Sequence, residues 1–256
     1  MWSVSETSLP DMTTSIAAPA VVLTDLDPRE RRMRWFELAV VTSVAFTSPV
    51  IGAVYSFAVG RTSSSMFTQT GLVFGSIARV PPLLLLAYVL WRSGRTFRDI
   101  GLRWSWKDAG VGVLLVCVAY IVEHQIHLLM NDVVRGLGYG DTVRASAALI
   151  RGYWAQTPQV TPGGFLYLAM NCFFEELLVR AYLMTEIIGL TGSTKIAVAV
   201  SVVLQASYHI YYGFIGALTV AAAFLVFALY FAKARKALPC IVGHWLMDVA
   251  AVLMRR

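Results

Sequence analysis

Charge is what this chain has least of. Only 14% of its 256 residues are Asp, Glu, Lys or Arg, whereas 57% are apolar, a balance that excludes an ordinary soluble domain. Cysteine is nearly as scarce. Cys117, Cys172 and Cys240 are widely spaced, each within an apolar stretch, which excludes a disulfide framework and reads as free, inert thiols. No basic region followed by an apolar core opens the sequence, so Met1 to Asp27, rich in Ser, Thr, Pro and Ala, reads as a flexible tail and not as a signal peptide. Internal repeats and low-complexity tracts are absent as well. One membrane domain is the simplest division, and the repeated halves common in transporters are missing.

What fills the chain instead is a series of apolar runs, each of about 20 residues, the length that crosses a hydrocarbon core of about 30 Å as a helix. The predicted fold is all-α, a polytopic transmembrane bundle of about seven spans at Trp35 to Val59, Gly71 to Trp91, Asp108 to Met130, Gly163 to Leu190, Thr194 to Tyr212, Phe214 to Ala232 and Ala237 to Met254. This divides the chain into a cytoplasmic tail over 1–34, N-terminal membrane helices with a long loop over 35–162, and a catalytic membrane core over 163–256. The long connection before the fourth span is expected to be a surface loop or an interfacial helix around Thr142 to Trp154. Pro81 and Pro82 should kink or break the second span, with Arg79 beside them either satisfying the freed carbonyls or serving as a helix-packing residue with no further role.

The formal charge of +6 says less than its placement. With the N-terminus inside, thirteen Lys and Arg fall on inner segments, from the Arg29, Arg31, Arg32 and Arg34 cluster to Lys233, Arg235 and Lys236, against six on outer ones. That asymmetry predicts a cytoplasmic N-terminus in a multi-pass plasma-membrane protein and gives no reason to expect a nucleic-acid partner.

Against this apolar background the run NCFFEELLVRAYL, Asn171 to Leu183, is anomalous. Unpaired charge in a bilayer costs several kcal/mol, so ionisable groups there are functional candidates. Glu176 and Arg180 stand four apart, on one helix face, and can pair; Glu175 lies about 100° round the helix and is left free. The fifth span adds His209, and the seventh adds His244 and Asp248, again four apart. Two chemistries fit such a set: a divalent metal site, zinc before others, held among Glu175, His209, His244 and Asp248, or direct activation of water by a carboxylate and a histidine while another group stabilises an oxyanion. Either supports peptide hydrolysis within the membrane.

Simpler roles exist for each residue alone. Glu176 with Arg180 can be a helix-stabilising ion pair, His209 an interhelical hydrogen bonder, and His244 with Asp248 a polar pair. Glu123, His124 and His127 lack the His-Glu-x-x-His spacing of zinc proteases and read as cavity-lining or interhelical polar residues. Glu186 reads as interfacial, Gly189 and Gly192 as a helix stop, and Tyr211, Tyr212, Trp245 and Trp154 as interfacial or packing aromatics.

The joint order of these residues resembles the CAAX-protease and bacteriocin-processing family of intramembrane proteases, which includes the type II prenyl-protein endopeptidase. Its pattern is Glu-Glu-x-x-x-Arg, a motif ending in His, then His-x-x-x-Asn or His-x-x-x-Asp, matched here by Glu175, Glu176 and Arg180, by His209, and by His244 and Asp248. The similarity covers Gly163 to Met254. It implies a membrane-embedded endopeptidase in which Glu175, aided by His209, activates water. Glu176 and Arg180 would form a structural pair that tunes the field, and His244 and Asp248 would complete a zinc site or stabilise the transition state. The substrate would be a peptide or protein, lipidated or not, met at the lipid bilayer. Two departures stand out: Gln205 occupies the place where the second motif often has Phe, expected to change pocket lining more than chemistry, and Asp248 stands where the prenyl-protein enzymes have Asn. Competing readings are a non-proteolytic scaffold or bacteriocin-immunity protein of the same fold, and a proton-coupled transporter.

Overall fold

The computed structural model describes residues 27–60, 69–156 and 162–254; the expected flexible tail, up to residue 26, lies outside the described residues, as does the side chain of Trp154. Among the described residues every element is helical: α1 (Pro28–Val59), α2 (Gln69–Ala78), α3 (Val80–Arg92), α4 (Trp106–Gly136), α5 (Gly140–Gln156), α6 (Pro162–Glu175), a π-wound segment (Glu176–Met184), α7 (Thr185–Thr191), α8 (Thr194–Tyr208), a 3-10 turn (Ile210–Tyr212), α9 (Gly213–Ala234) and α10 (Leu238–Leu253). The protein is an all-α membrane bundle.

The seven expected spans resolve differently. Four helical stretches are long and apolar enough to cross a membrane, Pro28–Val59, Thr70–Arg92, Trp106–Gly136 and Ile210–Ala234, while Thr194–Tyr208 and Leu238–Leu253 are apolar but shorter. The continuous helix over 162–191 carries Glu175, Glu176, Arg180 and Glu186 among its apolar residues, all four of them buried. Its charges face protein and not lipid, the only way a bundle tolerates them.

Local sequence explains the breaks. Pro28 sits in the first turn of α1, where its missing N–H is harmless, so this helix starts before the expected Trp35 and takes in the basic cluster. Pro81 and Pro82 open α3, and the second span bends at Arg79, whose Nη1 donates to the carbonyl of Gly75, as freed backbone requires. The long connection is a helix, α5, which packs on α9 and the 3-10 turn. Gly192 takes φ 70° to end α7, with its N–H on the Ile188 carbonyl, and Ser193 then caps α8 by accepting from the Ile196 N–H at 3.3 Å.

Two packing features set the stage for the site. α4 and α10 run side by side at close range because Gly112 meets Pro239 and Val242: a Cβ there would fall 2.9 Å from the Pro239 carbonyl oxygen. Tyr120 then reaches the Met247 carbonyl at 2.8 Å. At the opposite end of the 162–191 helix, Glu186 is buried against Arg95 and Arg34, and Arg31 donates to the Leu190 carbonyl at 2.8 Å. Glu186, expected to be interfacial, is thus a buried clasp for the basic end of the bundle.

Candidate active site

Glu175 ends α6 and Glu176 begins the π-wound segment. A π turn is wider than an α turn and is found most often at functional sites. Consecutive side chains here diverge: Glu175 turns to α8, Glu176 to α10, and Arg180 to α8 and α9.

Glu175 is held by neutral donors only. Its Oε1 accepts from Asn171 Nδ2 at 2.9 Å, and its Oε2 accepts from the Tyr208 hydroxyl at 2.8 Å and Gln205 Nε2 at 3.2 Å. Among the described residues no cation touches it, although His244, His209 and Arg79 act on it at longer range. Glu176, by contrast, is completely buried between a guanidinium and an imidazole. His244 Nδ1 donates to it at 3.0 Å and Arg180 Nε lies 3.3 Å from its second oxygen, close enough to pair but out of line for a hydrogen bond. Arg180 spends its other nitrogens on Gln205 Oε1 and on the Phe224 carbonyl at 3.3 Å, and stacks over the Phe224 ring at 4.9 Å.

The two histidines can be assigned tautomers from their partners, since a carbonyl or carboxylate only accepts. His209, at the C-terminal end of α8, donates through Nδ1 to the Gln205 carbonyl at 2.8 Å, which leaves Nε2 as an acceptor within a ring of Tyr208, Tyr211, Tyr212 and Phe224. Tyr211 and Tyr212, expected as interfacial or packing aromatics, line this ring and also pack on Tyr153 of α5. His244, committed to Glu176 through Nδ1, turns Nε2 toward Asp248 Oδ1 at 3.8 Å. Two electron-rich atoms facing each other call for a shared proton or a cation between them.

Asp248 has a further neighbour that sequence reasoning missed. Cys172, expected to be inert, brings Sγ to 3.4 Å from Asp248 Oδ2. Cys172, His244 and Asp248 present ligand atoms all within 4.8 Å of one another. Their S, N and O donors suit zinc, and the Glu176 carboxylate behind His244 Nδ1 orients the ring as second-sphere carboxylates do at zinc sites. Of the expected metal quartet, His244 and Asp248 belong to this cluster. Glu175 and His209 are not among its ligand atoms, the carboxylate of Glu175 accepting from Asn171, Tyr208 and Gln205, and His209 holding its own helix through Nδ1 with Nε2 left free.

Three more residues join the site, two of them, Asn171 and Tyr208, unexpected and the third, Gln205, expected only as pocket lining. Asn171 bridges Glu175 to Arg79, which donates to its Oδ1 through Nε at 2.9 Å and through Nη2, and to the Tyr167 hydroxyl at 3.0 Å. Tyr208 is the hydroxyl donor described above. Gln205, fully buried, is the only side chain among the described residues hydrogen-bonded to both Glu175 and Arg180. Each leaves a faint trace in sequence: Asn171 stands four before Glu175, Tyr208 precedes His209, and Gln205 is a polar residue where the resembling pattern often has an aromatic one.

Residues 157–250, which contain Glu175, Glu176, Arg180, His209, His244 and Asp248, match the family described as type II CAAX prenyl endopeptidase Rce1-like. This segment is similar to an Rce1-like domain. No curated protein and no solved structure matches the chain. The Rce1-like family is one of CAAX-type membrane endopeptidases, in agreement with the helices apolar enough to span a bilayer.

Proposed function

We propose that the Rce1-like domain hydrolyses a peptide bond within or near the bilayer with water activated by Glu175. The observation that carries this reading is the setting of Glu175: a buried carboxylate fixed by three neutral donors and left without a bound cation, in a chain that pairs the neighbouring Glu176 twice. Glu175 accepts a proton from water as the water oxygen attacks the scissile carbonyl carbon. His209, with Nε2 as acceptor, orients that water. The proton then passes from Glu175 to the departing nitrogen as the C–N bond breaks, giving a carboxylic acid and an amine.

Glu176 and Arg180 hold the helix and keep His244 in one tautomer. Cys172, His244 and Asp248 are the residues that would hold zinc, which when bound supplies Lewis-acid polarisation of a carbonyl or water oxygen. A proton-coupled transporter could use such a carboxylate as well; the match of residues 157–250 to an endopeptidase family is what favours hydrolysis.

The test is hydrolysis of a panel of membrane-anchored peptides, prenylated and not, by purified protein in lipid, with Glu175→Gln as the blank. Cleavage by wild type and none by the variant supports the reading; a folded wild-type protein that cleaves nothing in the panel supports a scaffold. Metal content on the same samples, beside His244→Ala and Asp248→Ala, separates the two chemistries. Stoichiometric zinc lost in both variants supports a metallopeptidase, and activity without metal supports the glutamate route.

A further inference from the structure

The ends of three apolar spans meet at two connections that touch. Thr70–Arg92 stops and Trp106–Gly136 starts on either side of the connection 93–105, and Ile210–Ala234 stops at the corner that leads into α10. The Ala237 N–H at this corner donates to the Gly101 carbonyl at 2.9 Å. Gly101 takes φ 94°, and a Cβ there would fall 2.6 Å from the Arg235 carbonyl oxygen, so the approach depends on glycine.

The connection 93–105 is sorted into an inner and an outer side. Ile100 is buried, Phe97 and Leu102 pack against the core, and Asp99 accepts from the Thr96 N–H at 2.6 Å and hydroxyl at 2.8 Å. Arg98, Arg103 and Trp104 are exposed, as are Trp106 and Lys107 in the first turn of α4. Ser105, between the two indoles, is extended, with φ −160° and ψ 130°, which sends both the same way. Their rings meet edge-on with centroids 5.3 Å apart, and Trp104 stays 71% and Trp106 78% exposed.

Charge here is one-sided. Asp99 is held by Thr96, and Asp108 is paired with Lys236 at 2.7 Å. Arg98, Arg103, Lys107 and, from the corner, Lys233 form no ion pair among the described residues. Nearby cations are matched, Arg92 with Glu37, and Arg34 and Arg95 with Glu186. Uncovered indoles beside unmatched cations, at the ends of spans, fit the headgroup layer of a bilayer: the amphipathic rings sit at the interface and the cations attract anionic lipid.

We infer that Arg98, Arg103, Lys107 and Lys233, with Trp104 and Trp106, form a binding surface for anionic phospholipid headgroups. Guanidinium and ammonium groups hold the phosphate by charge-assisted hydrogen bonds, and the indoles pack at the level of the glycerol esters. A zwitterionic lipid brings its own ammonium to the same phosphate, so the surface selects lipids with net negative charge. Neither the surface nor its selectivity depends on peptide hydrolysis.

The test uses the full chain in phosphatidylcholine vesicles containing a minor share of phosphatidylglycerol, with bromine on the acyl chains of one lipid or of the other, and reads quenching of tryptophan fluorescence. Subtracting the signal of a Trp104→Phe, Trp106→Phe double variant isolates the two indoles. Per brominated lipid, phosphatidylglycerol is expected to quench them about fivefold more than phosphatidylcholine, the factor that one cation near an anionic surface supplies. Arg98→Gln, Arg103→Gln and Lys107→Gln together should bring that ratio toward one while phosphatidylcholine still quenches. The same charge loss at the exposed Arg135, Arg144 and Arg151, away from this connection, should leave it unchanged. Equal quenching by the two lipids in the wild-type chain overturns the inference, whether or not the variants fold. No quenching of the two indoles by either lipid also overturns it and assigns them to a protein partner or a second copy. A ratio that falls equally in both triple variants overturns it in favour of overall charge.

Discussion

Glu175 and Glu176 are neighbours in the chain and live in opposite surroundings. One is bonded to an amide from its own helix and to an amide and a phenol from α8; the other is wedged between a guanidinium and an imidazole from two directions. A carboxylate that pairs with a guanidinium and accepts from an imidazole N–H is bound to its place, because protonating it strands both. A carboxylate fixed by neutral donors keeps its geometry while exchanging a proton, which is what a catalytic base must do. The π-wound start of the segment makes the contrast possible, by sending consecutive side chains toward different helices.

The sharpest break in this contrast is removal of charge at Glu175. Glu175→Gln retains shape and most hydrogen-bonding positions, so hydrolysis should fall by about 10²- to 10⁴-fold with the melting temperature in detergent little changed. Glu176→Ala inverts the pattern: Arg180 and His244 lose their common partner, and stability should drop by about 3–5 kcal/mol, read as a lower yield of monodisperse protein.

Gln205 joins the two environments and should show a mixture of both effects. Gln205→Leu strips a donor from Glu175 and an acceptor from Arg180; a loss of about 1–3 kcal/mol in thermal unfolding is expected together with reduced turnover. Arg79→Lys is the mildest. It keeps a charge near Asn171 but gives up the forked contact, worth about 1 kcal/mol, and should lower turnover with little change in substrate affinity.

Much of this arrangement was legible in sequence because spacing along a helix fixes direction. Glu176 with Arg180 and His244 with Asp248 meet as four-residue spacing implies. What spacing does not carry is contact between helices. Gln205 looked like altered lining and instead bridges Glu175 to Arg180; Cys172 looked inert and sits on Asp248; Arg79 answers the proline break at Gly75, as expected, but also grips Asn171. The count of seven spans suffered from the opposite limit. Hydropathy marks apolar runs but not how far each helix extends, and the helices bearing His209 and Asp248 are among the shorter apolar ones.

The most direct measurement takes Glu175→Gln and Glu176→Gln side by side, each purified in the same detergent, with peptide hydrolysis and thermal unfolding read on one sample. The expected result is a separation: Glu175→Gln stable and inactive, Glu176→Gln destabilised and, in the fraction that stays folded, active. Full turnover by Glu175→Gln, or a stable Glu176→Gln that is the inactive one, would contradict the division of labour between the two glutamates.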